Sequence, residues 1–115
     1  MKFVYLIQVE GTDIYKVGYT KNKPEKRLKK LQTASAKKLV LVDYYKTKRA
    51  PQIESTIHNT YSSCQMMEED GNKLIGEWFR FDQNTRNDFK KICKKIDDNF
   101  QAIEDMSTLK KKKAT

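Results

Sequence analysis

Residues 2–20 read KFVYLIQVEGTDIYKVGYT and carry the strongest secondary-structure signal of the sequence. Both of its halves are rich in β-branched and aromatic residues, and the turn-prone cluster EGTD at 10–13 separates them. This pattern is typical of two antiparallel strands joined by a short turn. We therefore predict a β-hairpin with strands over residues 2–9 and 14–20.

Helical and extended patterns alternate along the rest of the chain. A helix is predicted from about 24 to 32, with Asn22 as its N-cap and Pro24 in its first turn. Residues 38–45 predict a third strand, which we expect to be central in the sheet, and 50–61 have the apolar spacing of a second helix. Residues 62–75 are typical of a polar loop and 76–81 of a short aromatic strand or extended segment. The last helix is expected from 84 or 85 to about 100–103.

This order of elements predicts an α+β fold, with a small three-stranded antiparallel sheet flanked by helices and a C-terminal helix. We find no internal repeat and expect one domain over residues 1–106. The lysine-rich segment 107–115 has little to bury and is expected to be a disordered basic tail.

Positive charge dominates the chain, with 24 Lys and Arg against 15 Asp and Glu and a formal net charge of +9. Subtracting the four lysines at 110–113 leaves +5, so the bias is not confined to the tail. An excess of this size favours a polyanionic partner, most commonly nucleic acid in a small soluble protein, although an anionic membrane surface also fits.

Several classes of protein are excluded by other patterns. The apolar runs are far shorter than the roughly 20 residues of a membrane-spanning helix, and no signal peptide is recognisable, so we expect an intracellular protein without a membrane partner. With Cys64, Cys93 and the single histidine, His58, the chain lacks the four closely spaced ligands of a structural zinc site.

Two charged residues lie beside predicted apolar helix faces. Glu54 falls about 50° from the centre of the apolar stripe of its helix, and Arg27 lies at the edge of the stripe of the first helix. On the predicted hairpin, Tyr5 and Lys16 are opposite each other or offset by about two positions. Structural ion pairs and ordinary core packing also explain such positions.

Taken together, the motifs resemble the GIY-YIG nuclease superfamily. The resemblance lies in VYL at 4–6, YKVGYT at 15–20, Arg27 on the following helix, APQIE at 50–54 and GEWF at 76–79. It covers roughly residues 3–81 and is strongest with the branch from phages and large DNA viruses, which is often described as a DNA-binding domain.

The resemblance implies a role for several residues. Tyr5 matches the tyrosine that helps to deprotonate the attacking water, Arg27 matches the arginine that stabilises phosphate charge, and Glu54 matches the carboxylate that holds one divalent metal, Mg²⁺ or Mn²⁺. Gly18 matches the glycine that allows close backbone packing behind the site. His58 and Tyr15 are auxiliary candidates.

Two positions depart from the family pattern. Phe3 replaces the first glycine, and Lys16 stands where the second tripeptide usually has a tyrosine. A lysine there could favour the phenolate of Tyr5, since a nearby cation stabilises an anion. The same change also fits a domain that has lost catalysis, although some active relatives are similar in having lysine at this place.

The predicted partner is DNA, and the expected activity is metal-dependent hydrolysis of phosphodiester bonds. A noncatalytic DNA-binding module on the same fold is the alternative, and a protein-interaction domain that uses Trp78 is a third class. A homodimer is one option for the oligomeric state. Basic residues expected to contact the DNA backbone flank the predicted sheet, namely Lys21, Lys23, Lys26, Lys30, Lys48 and Arg49.

Overall fold

The structure is a computed structural model that describes the backbone of residues 1–66 and 78–114 and the side chains of residues 1–66 and 78–108. Its elements, in chain order, are β1 (Lys2–Val9), β2 (Ile14–Thr20), α1 (Pro24–Thr33), β3 (Leu39–Thr47), α2 (Ala50–Thr60), a 3₁₀ turn (Ser62–Cys64), β4 (Trp78–Arg80), α3 (Gln83–Asn87) and α4 (Phe89–Ala114).

The hairpin has the strand bounds that the sequence predicts, with Phe3 opposite Thr20 and Gln8 opposite Tyr15. Its turn contains Gly11 at φ 75°, a left-handed conformation that glycine adopts without a steric penalty. Thr12 closes the turn, because its hydroxyl donates to the Val9 carbonyl at 2.7 Å. The register of the two strands is thus fixed by a turn that lies between them in the sequence.

The sheet differs from the prediction in its strand number and order. In the part of the chain that the structure describes, it has four antiparallel strands in the order β3-β1-β2-β4, so the α+β class is confirmed but the count of three strands is wrong. β4 pairs with β2 through Trp78 and Phe79. β3 lies at an edge rather than in the centre, because β1 already has β2 on one side and leaves only its other side for β3.

The sheet is covered on both faces, and its two core clusters differ in size. Alternate residues of the hairpin, Val4 and Leu6 of β1 with Tyr15 and Val17 of β2, are buried in the cluster that contains residues of α2 and α4. The opposite face carries a smaller cluster with Tyr5, Ile7 and Leu39, against which Leu28 and Leu31 of α1 pack. Residues next to each other in the hairpin therefore belong to different cores.

The N-terminus of α1 is not built as the sequence predicts. The N-cap position is Lys23, and no side chain caps the helix, so the expected capping role of Asn22 is wrong. Lys23 is extended, with φ −58° and ψ 137°, as is favoured for a residue that precedes proline. The backbone N–H of Asn22 instead donates to the Thr20 hydroxyl at 3.2 Å, which tightens the connection from β2 to α1.

The C-terminal helical region is divided and is longer than predicted. Asp82 caps the short α3 by accepting a hydrogen bond from the Thr85 amide at 2.7 Å, and α4 begins separately at Phe89. α4 then continues through Ala114 and so includes most of the segment 107–115 that was expected to be disordered. The segment contains neither glycine nor proline, and lysines are favourable near the C-terminus of a helix. Most of the predicted loop 62–75 lies outside the described residues.

An ion-pair network ties the start of α2 to α4. The Arg49 guanidinium donates to Asp97 at 2.8 Å, to Gln101 at 2.7 Å and to Glu104 at 3.3 Å, and Arg49 is only 6% exposed. Burial by itself would raise the pKa of Asp97, but hydrogen bonds from Arg49, Tyr45 and Thr47 outweigh burial and leave that pKa below its usual value. Arg49 therefore has a structural role, and its contact with DNA stays a prediction.

The same network makes stability sensitive to alkaline pH. Burial and the hydrogen bond to Asp97 raise the pKa of Tyr45 to about 12. Because an unfolded tyrosine titrates near pH 10, the folded state holds this proton more tightly. Its contribution to stability is fully present below about pH 10 and is lost as the pH rises towards about 12.

We predict that Tyr45→Phe flattens the fall in the free energy of unfolding between about pH 9 and about pH 12, measured by urea denaturation. The matched control is Tyr19→Phe, which removes the hydroxyl of an exposed tyrosine and should keep the slope of the wild-type protein. Equal slopes for wild type and Tyr45→Phe would contradict the prediction.

Candidate active site

The centre of the candidate site is a close approach between Tyr5 and Gly18. These two residues are opposite each other in the β1–β2 pairing, and Tyr5 is only 2% exposed. A Cβ placed on Gly18 would overlap the Tyr5 hydroxyl and would lie 2.5 Å from its Cζ. The phenol can therefore lie across β2 only because residue 18 has no side chain.

Arg27 approaches the same phenol from α1. Its Nε donates to the Tyr5 hydroxyl at 3.5 Å, which is a long hydrogen bond. Arg27 is half-buried, and the contact joins two residues that are 22 positions apart in the sequence. The structure thus brings together the tyrosine, the arginine and the glycine of the predicted site.

Lys16 lies on the same face of the sheet, offset by two positions from the Tyr5–Gly18 pair, which is one of the predicted arrangements. Lys16 is 8% exposed, and its ammonium group lies 5.5 Å from the centre of the Trp78 ring. A buried ammonium over an aromatic face is stabilised by the ring quadrupole. Trp78 therefore belongs to the surroundings of the site.

Glu54 and His58 form a second group on α2, one helical turn apart. His58 Nε2 lies 3.3 Å from the Glu54 carboxylate and 2.8 Å from the Val17 carbonyl oxygen. A carbonyl oxygen can only accept a hydrogen bond, so Nε2 carries a proton. His58 thereby fixes α2 to β2 next to Glu54, and both side chains are 16% exposed.

β2 is the element that the two groups share. The Val17 carbonyl accepts a hydrogen bond from His58, whereas the neighbouring residues Lys16 and Gly18 lie on the same face of the sheet as Tyr5. Tyr15 does not join either group, because it lies in the larger core with its ring 5.8 Å from that of Phe81.

A basic groove of 340 Å³ opens beside the Tyr5–Arg27 contact. Three of its lining residues are the cations Lys26, Arg27 and Lys30, and the others are Tyr19, Thr20 and Asn22. None of the six carries a negative charge, so the groove favours an anion. Sequence reasoning missed the last three, although Tyr19 and Thr20 directly follow the glycine of the second motif.

The other predicted DNA contacts lie at different places. Lys23 lines a second cavity of 430 Å³, which is formed with Phe3, Pro24, Glu25 and Tyr44. Lys21 and Lys48 are exposed and line neither of these two cavities. The groove therefore collects only part of the predicted basic set.

Glu54 is the candidate ligand for a divalent ion. Within residues 1–66 and 78–108, no group of three or more His, Cys, Asp or Glu side chains could enclose a metal. Mg²⁺ commonly uses one or two carboxylates, with water and substrate phosphate completing its octahedron. Glu54, a mostly buried carboxylate beside His58, fits a site in which one carboxylate holds the ion and water and phosphate complete the coordination. The bound Mg²⁺ or Mn²⁺ remains a prediction.

Tyr5 and Arg27 thus meet next to a basic groove on a small antiparallel sheet. The profile of the T5orf172 domain family matches residues 2–97, and the chain belongs to this family of phage-associated, nuclease-like domains. No curated protein and no solved structure shows significant similarity to the chain. The part of the chain that the structure describes contains no helix that is long and apolar enough to cross a membrane.

The close packing of Tyr5 on Gly18 predicts that Gly18→Ala is destabilising by about 1–3 kcal/mol, because an added methyl group would overlap the phenol. The double variant Tyr5→Leu/Gly18→Ala should lose less than the sum of the two single losses, since removing the ring makes room for the methyl group. Urea denaturation of the four proteins measures the coupling. Strict additivity would show that the two positions are not in contact.

Proposed function

We propose that the protein is a GIY-YIG-type endonuclease that hydrolyses phosphodiester bonds in DNA with one Mg²⁺ or Mn²⁺ ion. The observation that carries this proposal is the contact between the Tyr5 hydroxyl and Arg27, a residue that lines a groove whose described lining has three cations and no carboxylate. A phosphate held in this groove would contact Arg27, which in turn contacts the potential base Tyr5.

Hydrolysis of a phosphodiester requires a group that accepts the proton of water and positive charge near the developing phosphorane. Tyr5 is the candidate base. Arg27 touches its hydroxyl and Lys16 lies on the same face, so both cations favour the phenolate form. Arg27 also lines the groove and can stabilise the phosphate charge.

Glu54 would hold the divalent ion, which supplies Lewis-acid stabilisation of the phosphate oxygens when bound. His58 is a positioning residue in this proposal. It donates to the Val17 carbonyl and lies against Glu54, so it fixes the carboxylate relative to β2. Its ring also packs 5.1 Å from that of Phe79, which limits its rotation.

The test is cleavage of supercoiled plasmid with Mg²⁺ or Mn²⁺. We expect nicking or linearisation by the wild-type protein and a loss of about 100-fold or more in Tyr5→Phe and in Glu54→Gln, because each substitution removes a proton acceptor or a metal ligand. Both variants keep nearly the same volume as the wild-type side chain.

Two matched controls separate chemistry from folding. Tyr61→Phe removes the hydroxyl of a partly buried tyrosine that packs against the larger core, and Glu10→Gln removes an exposed carboxylate that is paired only loosely with Lys38 at 3.8 Å. Both should cleave at nearly the wild-type rate. Wild-type protein that binds plasmid but never cuts it, with either metal, would refute the enzymatic proposal.

The second candidate function is a noncatalytic DNA-binding module. Its specific support is Lys16 at the place of a family tyrosine, together with the 2% exposure of Tyr5, which restricts access of water to the phenol. In this case Tyr5 and Arg27 serve only to shape the groove. Both candidate functions require binding of the DNA backbone.

Binding should therefore depend steeply on salt. Replacing one phosphate-binding cation lowers the slope of log K against log salt by about 1. We predict this change for Lys26→Gln and for Lys30→Gln, measured by fluorescence anisotropy with labelled duplex DNA. Lys94→Gln is the control, because Lys94 lies on α4 and pairs with Asp98 at 2.8 Å. A slope unchanged in all three variants would show that the groove does not bind phosphate.

A further inference from the structure

An aromatic–lysine patch lies beside the candidate site, and we define it as Phe3, Tyr44, Lys46 and Lys90. The rings of Phe3 and Tyr44 meet edge to face with their centres 5.7 Å apart. The Lys46 ammonium lies 5.9 Å from the centre of the Phe3 ring, and that of Lys90 lies 5.5 Å from the centre of the Tyr44 ring. The patch combines π-faces and positive charge on one surface.

Strand pairing between β1 and β3 places the patch next to the candidate site. Tyr44 of β3 is the direct partner of Tyr5, and Lys46 is the partner of Phe3, which lies two residues before Tyr5 on β1. A bulge between Leu6 and Ile7 makes this possible. The pairing steps from Asp43 to Leu41 there, so the alternation of β3 side chains reverses and Tyr44 lies on the face of Tyr5.

Core packing does not explain Tyr44. It is 38% exposed on an edge strand, whereas its partner Tyr5 is buried. The second cavity, of 430 Å³, lies against the rings of Phe3 and Tyr44 and also contacts Lys23, Pro24 and Glu25. Lys23 adjoins Asn22, which lines the basic groove, so the linings of the two cavities are adjacent in the sequence at the start of α1.

Charge and chemistry favour a nucleobase as the occupant of the second cavity. Lys23 lines this cavity, and the ammonium groups of Lys46 and Lys90 lie near the two aromatic rings that also line it. The carboxylates nearby are those of Glu25, which lines the cavity, and of Asp43, which pairs with Lys90 at 3.3 Å. Lysines alone would serve for phosphate, but aromatic rings beside a basic groove are the arrangement by which proteins stack unpaired bases. Bases within a duplex are stacked on each other and cannot offer a free face.

We propose that the aromatic–lysine patch stacks an unpaired base, so that the substrate class is DNA with a single-stranded or extruded nucleotide beside the phosphate at the basic groove. This inference rests on the DNA binding in the proposed function. It adds a requirement for an unpaired base, which neither cleavage nor backbone binding needs.

The experiment measures fluorescence anisotropy in the absence of divalent ions, with three probes of equal length. The probes are a single-stranded oligonucleotide, its duplex, and a single strand in which abasic residues replace the nucleotides. We expect wild-type protein to bind the single strand more tightly than the other two probes. Tyr44→Ala should weaken binding to the single strand about tenfold, because stacking on one base is worth about 1–3 kcal/mol, and should leave the duplex and abasic affinities unchanged.

Controls distinguish stacking from charge and from folding. Tyr44→Trp retains a π-face and should restore binding, whereas Lys46→Gln should lower the salt dependence for all three probes. Ile103→Ala changes an exposed apolar residue of α4 and should have no effect. Equal effects of Tyr44→Ala on all probes, or no effect on any, would overturn the inference. Duplex binding that survives such a result would leave the proposed function standing, whereas no binding to any probe would refute both.

Discussion

The pairing register of β1 with β2 determines which residues enter each of the two cores and where Tyr5 lies. It places Tyr5 opposite Gly18, where the absence of a side chain makes room for the phenol. Because strand side chains alternate, a shift by one residue would exchange the two faces of the hairpin and put Tyr5 into the core of α2 and α4. The turn fixes this register through Gly11 and Thr12. One constraint therefore builds both cores and positions the candidate base.

Local patterns were sufficient to predict the hairpin and the faces of the first two helices. The β-branched and aromatic residues over 2–20, with the turn-prone cluster between them, predicted both strands with their observed bounds, because strand type and turn are encoded within the same short stretch. The apolar stripe of α2 likewise placed Glu54 at the border of the core, and its side chain is 16% exposed. The offset between Tyr5 and Lys16 followed from counting residues on either side of the turn.

Features set by distant segments could not be predicted in this way. Arg49 lies in a basic stretch and was expected to contact DNA, but its partners lie about fifty residues later on α4, at Asp97, Gln101 and Glu104. The edge position of β3 depends on which side of β1 is taken by β2. The bulge in the β1–β3 pairing could not be predicted either, because nothing in the β3 sequence indicates where the alternation of its side chains reverses.

In the proposed function, binding and chemistry would be carried by different elements of the fold, and β2 is the strand that lies between them. Cations of α1 line the groove, whereas the candidate metal ligand Glu54 lies on α2, which packs against the opposite core. Three consecutive residues of β2 join the two halves. Lys16 and Gly18 lie on the same face of the sheet as Tyr5, and the carbonyl of Val17 accepts a hydrogen bond from His58. A displacement of this strand would move both halves together. The pairing of β2 with both β1 and β4 holds it in place, so in the proposed function the sheet would hold the groove and Glu54 in a fixed relative position.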